Sequence, residues 1–186
     1  MRFTELNVAG SFVIDTDFIH DHRGFFGRVW CGQEFRTHGL DPDIAQVNVG
    51  FSKVKGTLRG LHFQVAPHDE VKVVRCTQGG LYDLVLDLRA DSPTFKQWAG
   101  VELTAENRRM LYIPKGCAHG YLTLEDNTEM YYSTSAYYNA PAATGVRYND
   151  PEFGIQWPAE IAVISDKDRN WPLFHQHEHF NTIEVS

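Results

Sequence analysis

The sequence predicts an all-β protein, a jelly roll with a few short helices at the ends. Two observations carry this. Eight stretches are rich in β-branched and aromatic residues and bounded by Gly, Pro, Asp or Asn, and they recur at near-regular spacing. Helical patterning is confined to short pieces. The strand stretches are 46–51, 57–63, 71–76, 80–88, 98–103, 110–113, 120–124 and 129–136. Alternation is clearest in 80–88, where Tyr82, Leu84, Leu86 and Leu88 share one face and Asp83 and Asp87 the other. A short helix is expected over 33–38, with Gly39 placed to cap it. A second is expected near 166–170. No internal repeat, linker or low-complexity segment interrupts the chain, so a single domain over 1–186 is expected, its jelly-roll core at about 46–165.

Bulk composition narrows the function classes. With 186 residues, 42% hydrophobic and 22% charged, the chain can bury a core without disulfide staples. A net charge of -7 argues against a nucleic-acid binder, whose affinity comes from neutralising phosphates. It leaves room for a small anionic ligand held by a few convergent arginines. No run of about 18 apolar residues is present, so no membrane partner is expected. The first residues lack a long apolar region and read as no signal peptide. Cys31, Cys76 and Cys117 are far apart and odd in number, which fits free thiols in a reducing cytoplasm.

Two stretches concentrate the chemistry: KGTLRGLHFQ at 55–64 and IPKGCAHG at 113–120. In the second, Pro114 and Gly116 suit a tight turn, after which His119 opens a strand at a barrel mouth. A metal-binding cupin offers His-x-His and a carboxylate on the first strand; here His62 stands without its partner, so no metal is expected. His62 then suits a general base, set against the alternative of a half-buried core histidine. Its company is Lys72, Asp83, His119, Tyr132 and Asp168, a set suited to proton abstraction beside a carbonyl: base, enolate-stabilising cation and proton-returning phenol. Arg23 and Arg59 are candidate phosphate or diphosphate clamps, or ordinary surface arginines. Arg59 and His62 are an odd number apart and face one pocket only if the strand is irregular, with Gly60 the place for a bulge. The Gly24–Gly27 cluster and Tyr137 with Tyr138 read equally as packing or as stacking platforms. Trp30, Trp98, Trp157 and Trp171 read as core or interface, and the HQHEH run at 175–179 as a solvated tail rather than a metal site.

These residues resemble the dTDP-4-dehydrorhamnose 3,5-epimerase family. The resemblance runs from RGFF at 23–26 to SDKD at 165–168. Between them lie the 56–64 stretch, KVVRC at 72–76, DLRADSPTF at 87–95, 113–120, Tyr132 with Tyr137 and Tyr138, and IQWP at 155–158. It implies a cupin-type double-stranded β-helix working without metal or cofactor as a homodimer, with N-terminal strands in 1–50 at the dimer contact. The implied substrate is a nucleotide-linked 4-keto-6-deoxy sugar, inverted at carbons 3 and 5. On this chain His62 resembles the family's base, oriented by Asp168, with Tyr132 the proton donor and Lys72 the enolate-stabilising cation. Arg23, Gln46, Asn48, Arg59, His119 and Lys167 match positions that bind sugar, diphosphate or nucleotide, and Tyr138 the aromatic that stacks on the base.

The departures gather at the nucleotide end. Arg28 stands where a carboxylate is typical, reversing the charge of a substrate-binding position; 140–145 lacks its usual acidic residue; Ser133 replaces a common lysine. A GDP-, CDP- or UDP-linked sugar, or inversion at one carbon only, is the alternative expectation. Further rivals are a sugar ketoisomerase using the same base, a metal-dependent cupin built on His62 and His119, and a sugar-nucleotide binder without catalysis.

Overall fold

Two six-stranded sheets, one wholly antiparallel and the other antiparallel but for one short strand, face each other in this computed structural model, which describes residues 1–177. The chain opens with β1 (Arg2–Glu5) and β2 (Phe12–Asp15), then a small hairpin of β3 (Ile19–Asp21) and β4 (Gly24–Phe26), and helix α1 (Gly32–Thr37). The expected strands follow as β5 (Gln46–Ser52), β6 (Thr57–Gln64), β7 (Lys72–Gln78), β8 (Gly80–Asp87), β9 (Trp98–Thr104), β10 (Met110–Ile113), β11 (Cys117–Thr123) and β12 (Thr128–Thr134). After them come β13 (Ala143–Gly145), β14 (Val163–Ile164) and helix α2 (Asp166–Arg169). One sheet runs β1-β2-β10-β7-β12-β5 and the other β13-β6-β11-β8-β9, with β14 pairing in parallel on β6. This strand order, in which β5 to β8 and again β9 to β12 alternate between the two sheets, is that of a jelly roll.

Apolar side chains fill three layers. Val74, Cys76, Leu111, Ile113 and Met130 of the first sheet meet Leu81, Val85, Leu103 and Tyr121 of the second, closing one end of the barrel. The outer face of the second sheet buries Leu61, Leu84, Leu86 and Ala118 under Val146, Phe153, Trp157 and Phe174 from the C-terminal segment. Both faces of β8 are therefore dry, and its aspartates need partners: Asp87 takes Arg89, Ser92 and Thr94, and Asp83 takes His119. On the outer face of the first sheet, Phe35 of α1 is fully buried against Ile14, Met110 and Tyr112. A six-residue helix does not stand alone; this ring, whose burial stabilises by about 2–3 kcal/mol, holds it in place. The other half of that face, with Val47, Val49, Phe51 and Tyr131, stays open to solvent.

Two expectations need correction. Strand β11 starts at Cys117, right after the Gly116 turn (φ 76°), so His119 sits inside a paired strand instead of opening it. In the 175–179 run, His177 is buried, its Nε2 3.0 Å from Thr144 Oγ1 and its ring 6.0 Å from that of Phe63. It belongs to the cover of the second sheet, not to a solvated tail; His179 lies outside the described residues.

Candidate active site

At the end of the barrel that the apolar core leaves empty lies a cavity of about 630 Å³. Strands β5, β7 and β12 of one sheet contribute Gln46, Asn48, Lys72 and Tyr132; β6 and β11 of the other contribute Arg59, His62 and His119. Tyr138 and Lys167 stand at its rim, so ten of the twelve predicted residues gather here once Asp168, behind His62, is counted.

The strand register explains how Arg59 and His62 share one cavity. His119 pairs with His62 and Tyr121 with Arg59, so Gly60 and Leu61 together oppose the single residue Gly120. This is a bulge: it sends Leu61 outward into the second apolar layer and returns His62 to the inside. Gly60 has φ 128°, and a Cβ on it would lie 2.5 Å from the Cα of Gly120. Only glycine fits there.

His62 Nε2 is 2.6 Å from Asp168 Oδ1. Asp168, 5% exposed, is held by α2, whose Ser165 hydroxyl caps the helix by accepting from the Asp168 amide at 3.0 Å. The Gly60 N–H donates to Asp168 Oδ2 and the Trp171 indole N–H to Oδ1, each at 3.3 Å. Burial pushes this carboxyl up, but the bonds from His62, Gly60 and Ser165 outweigh it and hold Asp168 below its ordinary value. An ionised Asp168 accepts Nε2–H, which leaves Nδ1 with the lone pair. The His62 side chain is 43% exposed against 7% for Asp168, so the imidazole is the part of the pair that faces the cavity.

Across the cavity, Tyr132 is paired with Asn48 and Val74 in its sheet. Burial, with the neighbouring Tyr121 and Glu70, raises its phenol above the usual range, only partly countered by Arg59. It stays a proton donor at neutral pH. Lys72 Nζ pairs with Glu70 Oε1 at 2.9 Å, both side chains nearly buried. Glu70 also accepts from Gln64, which donates to the Tyr137 carbonyl and accepts from the Asn139 amide; the loop carrying Tyr138 is thereby tied to the Lys72 end. His119 Nε2 lies 2.6 Å from the fully buried Asp83. Arg59 donates to the Phe51 carbonyl at 3.0 Å.

Arg23 and Arg28 lie elsewhere in the chain. Arg23 follows β3 and is chelated by Asp21 at 2.6 Å; Arg28 pairs with Glu34 of α1 at 3.0 Å. Neither lines the cavity. Among the lining residues, Glu70, Tyr121 and Trp171 escaped sequence reasoning. Trp171 had a readable signal, one helical turn beyond Asp168, where the two side chains meet. Among the described residues, no three His, Cys, Asp or Glu side chains gather to hold a metal ion.

A histidine held by a carboxylate on one wall, and a protonated phenol with a lysine on the other, are arranged for acid/base chemistry inside a cupin-type barrel. The match to the family described as dTDP-4-dehydrorhamnose 3,5-epimerase spans residues 5–176. The enzyme of that name from Sinorhizobium fredii is 39% identical over 173 residues, covering 92% of this chain and 89% of that protein. A crystal structure of the Bacillus anthracis enzyme with TDP and PPi bound is 42% identical with a TM-score of 0.88, covering 92% of this chain and 98% of that one. A 3'-monoepimerase from Streptomyces bikiniensis, in complex with dTDP-quinovose, is 34% identical with a TM-score of 0.86, covering 95% and 89%. The chain belongs to the dTDP-4-dehydrorhamnose 3,5-epimerase family, and is an isomerase of nucleotide sugars.

Proposed function

We propose that this protein inverts carbons 3 and 5 of dTDP-4-dehydro-6-deoxyglucose, with His62 as base and Tyr132 as acid. The observation that carries the reading is the placement of the His62–Asp168 pair and the Tyr132 phenol on facing sheets of one cavity. The 4-keto group acidifies the protons on both neighbouring carbons. His62 Nδ1 takes one; the C–H pair of electrons moves to the C4 oxygen, and the enolate rests against the Lys72 ammonium. Tyr132 then protonates the carbon from the opposite face as the carbonyl re-forms. The imidazolium and phenolate return to their starting states by proton exchange with solvent, and the second carbon follows after the ring reorients. Arg59, Gln46, Asn48, His119 and Lys167 take the sugar and diphosphate, and Tyr138 stacks on the base.

The working unit we propose is a cytoplasmic homodimer joined through 1–50. Support comes from the open apolar face: Val49 is 61% exposed on edge strand β5, and Ile19 and Phe26 on the β3–β4 hairpin are 73% exposed. Arg23 and Arg28 belong to this same region, so they would meet nucleotide only in a partner's cavity. No helix among the described residues is long and apolar enough to cross a membrane.

A second reading, inversion at one carbon, is favoured by the likeness to a 3'-monoepimerase and by the altered nucleotide end at Arg28. Incubation with dTDP-4-dehydro-6-deoxyglucose in deuterated water separates the two. Deuterium at carbons 3 and 5 supports the double inversion; deuterium at one carbon supports the second reading. No exchange removes the thymidine substrate and directs the same experiment to GDP-, CDP- and UDP-linked sugars.

A further inference from the structure

Three of the four tryptophans do ordinary structural work or lie at the surface. Trp98 and Trp157 donate their indole N–H to the backbone carbonyls of Phe153 and Tyr148, both at 3.1 Å, and Trp30 is 42% exposed. Trp171 differs. Its N–H goes to Asp168 Oδ1 at 3.3 Å, the same oxygen that His62 approaches at 2.6 Å. Its ring also meets the imidazole edge-on, with centroids 6.2 Å apart and planes at 73°.

Trp171 is itself held in place, by one contact to its backbone and two to its ring. Arg147 Nε donates to the Trp171 carbonyl at 2.8 Å. The ring lies flush on β13, where a Cβ added to Gly145 would stand 2.5 Å from Trp171 Cε2. The Lys167 ammonium caps the ring at 5.1 Å from its centroid. A side chain fixed this firmly, with its one polar atom aimed at the carboxylate that holds His62, does more than fill space.

We infer that Trp171 is a positioning residue for the His62–Asp168 pair, setting both the orientation of the imidazole and the strength with which Asp168 binds it. The inference rests on the assignment of His62 as base. A carboxylate oxygen that accepts from an indole has less electron density to offer the imidazole N–H. The imidazolium is then favoured less, and the neutral base persists to lower pH. The other charged or titratable groups lining the His62 cavity are Arg59 on its own strand, His119 and Tyr121 on β11, Glu70, Lys72 and Tyr132 across the cavity, Tyr138 at the rim, and Lys167 beside Asp168 on α2. Trp171→Phe alters none of these groups and keeps an aromatic face beneath Lys167.

The test is to follow the His62 imidazole by NMR through a pH titration of the substrate-free protein, wild type and Trp171→Phe. Loss of the indole donor is expected to raise the His62 midpoint by about half a pH unit. The acid limb of kcat/KM is expected to move up with it, a shift that loss of packing alone does not produce. A folded Trp171→Phe protein with an unmoved His62 midpoint overturns the inference. If that variant does not fold, the wild-type indole 1H–15N signals decide: the Trp171 signal should follow the His62 titration while those of Trp98 and Trp157 stay flat. A Trp171 signal flat through that transition also overturns it. His62→Ala, assayed in parallel, tests the base assignment separately; full turnover there would unseat that assignment and leave the titration result standing.

Discussion

A carboxylate at 2.6 Å and an open face give the His62 imidazole one fixed side and one reactive side. His62→Ala is therefore expected to lower kcat by about 10²–10⁴ while thymidine diphosphate still binds, measured by steady-state rates and calorimetry. Tyr132→Phe is expected to behave differently. Proton abstraction survives, so solvent deuterium enters the recovered substrate, but inverted product stops accumulating; a variant that forms product at the wild-type rate removes Tyr132 from the acid role. Asp168 carries a pH signature as well. Its folded value lies below its ordinary 3.8, so the stability it contributes is present above that value and is lost as pH falls through the lowered one. Asp168→Asn should cost about 1–3 kcal/mol at neutral pH, with the gap to wild type closing in acid, as denaturant titrations at several pH values would read. That His62, Lys72 and Tyr132 stand on strands was legible in the sequence, and the structure brings their side chains to one cavity. Trp171 was passed over although it stands one helical turn beyond Asp168, because an isolated tryptophan looks apolar until its single N–H has an address.

The element that makes the site is the bulge in β6. Arg59 and His62 had a parity conflict on paper, and Gly60 marked where it could be relieved; the register against β11 resolves it by setting two residues against one. Gly60→Ala is expected to lose about 1–3 kcal/mol and most activity, since its Cβ would strike the Gly120 backbone and alanine resists the positive φ. A melting curve with an assay checks both. The eight barrel strands were readable within a few residues at each end, because each buries at least one face and therefore alternates or runs apolar. The strands β13 and β14 were not readable. At three and two residues they have no period of their own and exist by pairing with β6. The start of β11 was misplaced by three residues because Ala118 and His119 look like loop until β8 supplies their partners.

At the scale of the molecule, half of one sheet's outer face remains uncovered, with Val49 at its centre and edge strand β5 as its border. If the proposed homodimer forms through this face, Val49→Lys is expected to give a monomer in light scattering, and an unchanged mass overturns that interface. Arg23 gives a sharper test of assembly. Neither His62→Ala nor Arg23→Ala homodimers should turn over, yet mixed and re-equilibrated chains should recover about a quarter of wild-type activity if Arg23 serves the partner's cavity. No recovery would place Arg23 outside catalysis across the interface. The spacing of the catalytic pair has a last consequence, in time rather than in space. His62 and Asp168 are 106 residues apart in the chain. At about 5–20 residues per second, a ribosome delivers the carboxylate roughly 5–20 s after the histidine. The barrel strands have all emerged by then, so a nascent chain can close its barrel while still chemically silent. With Asp168 in its proposed role, activity is expected only once α2 has docked against β6.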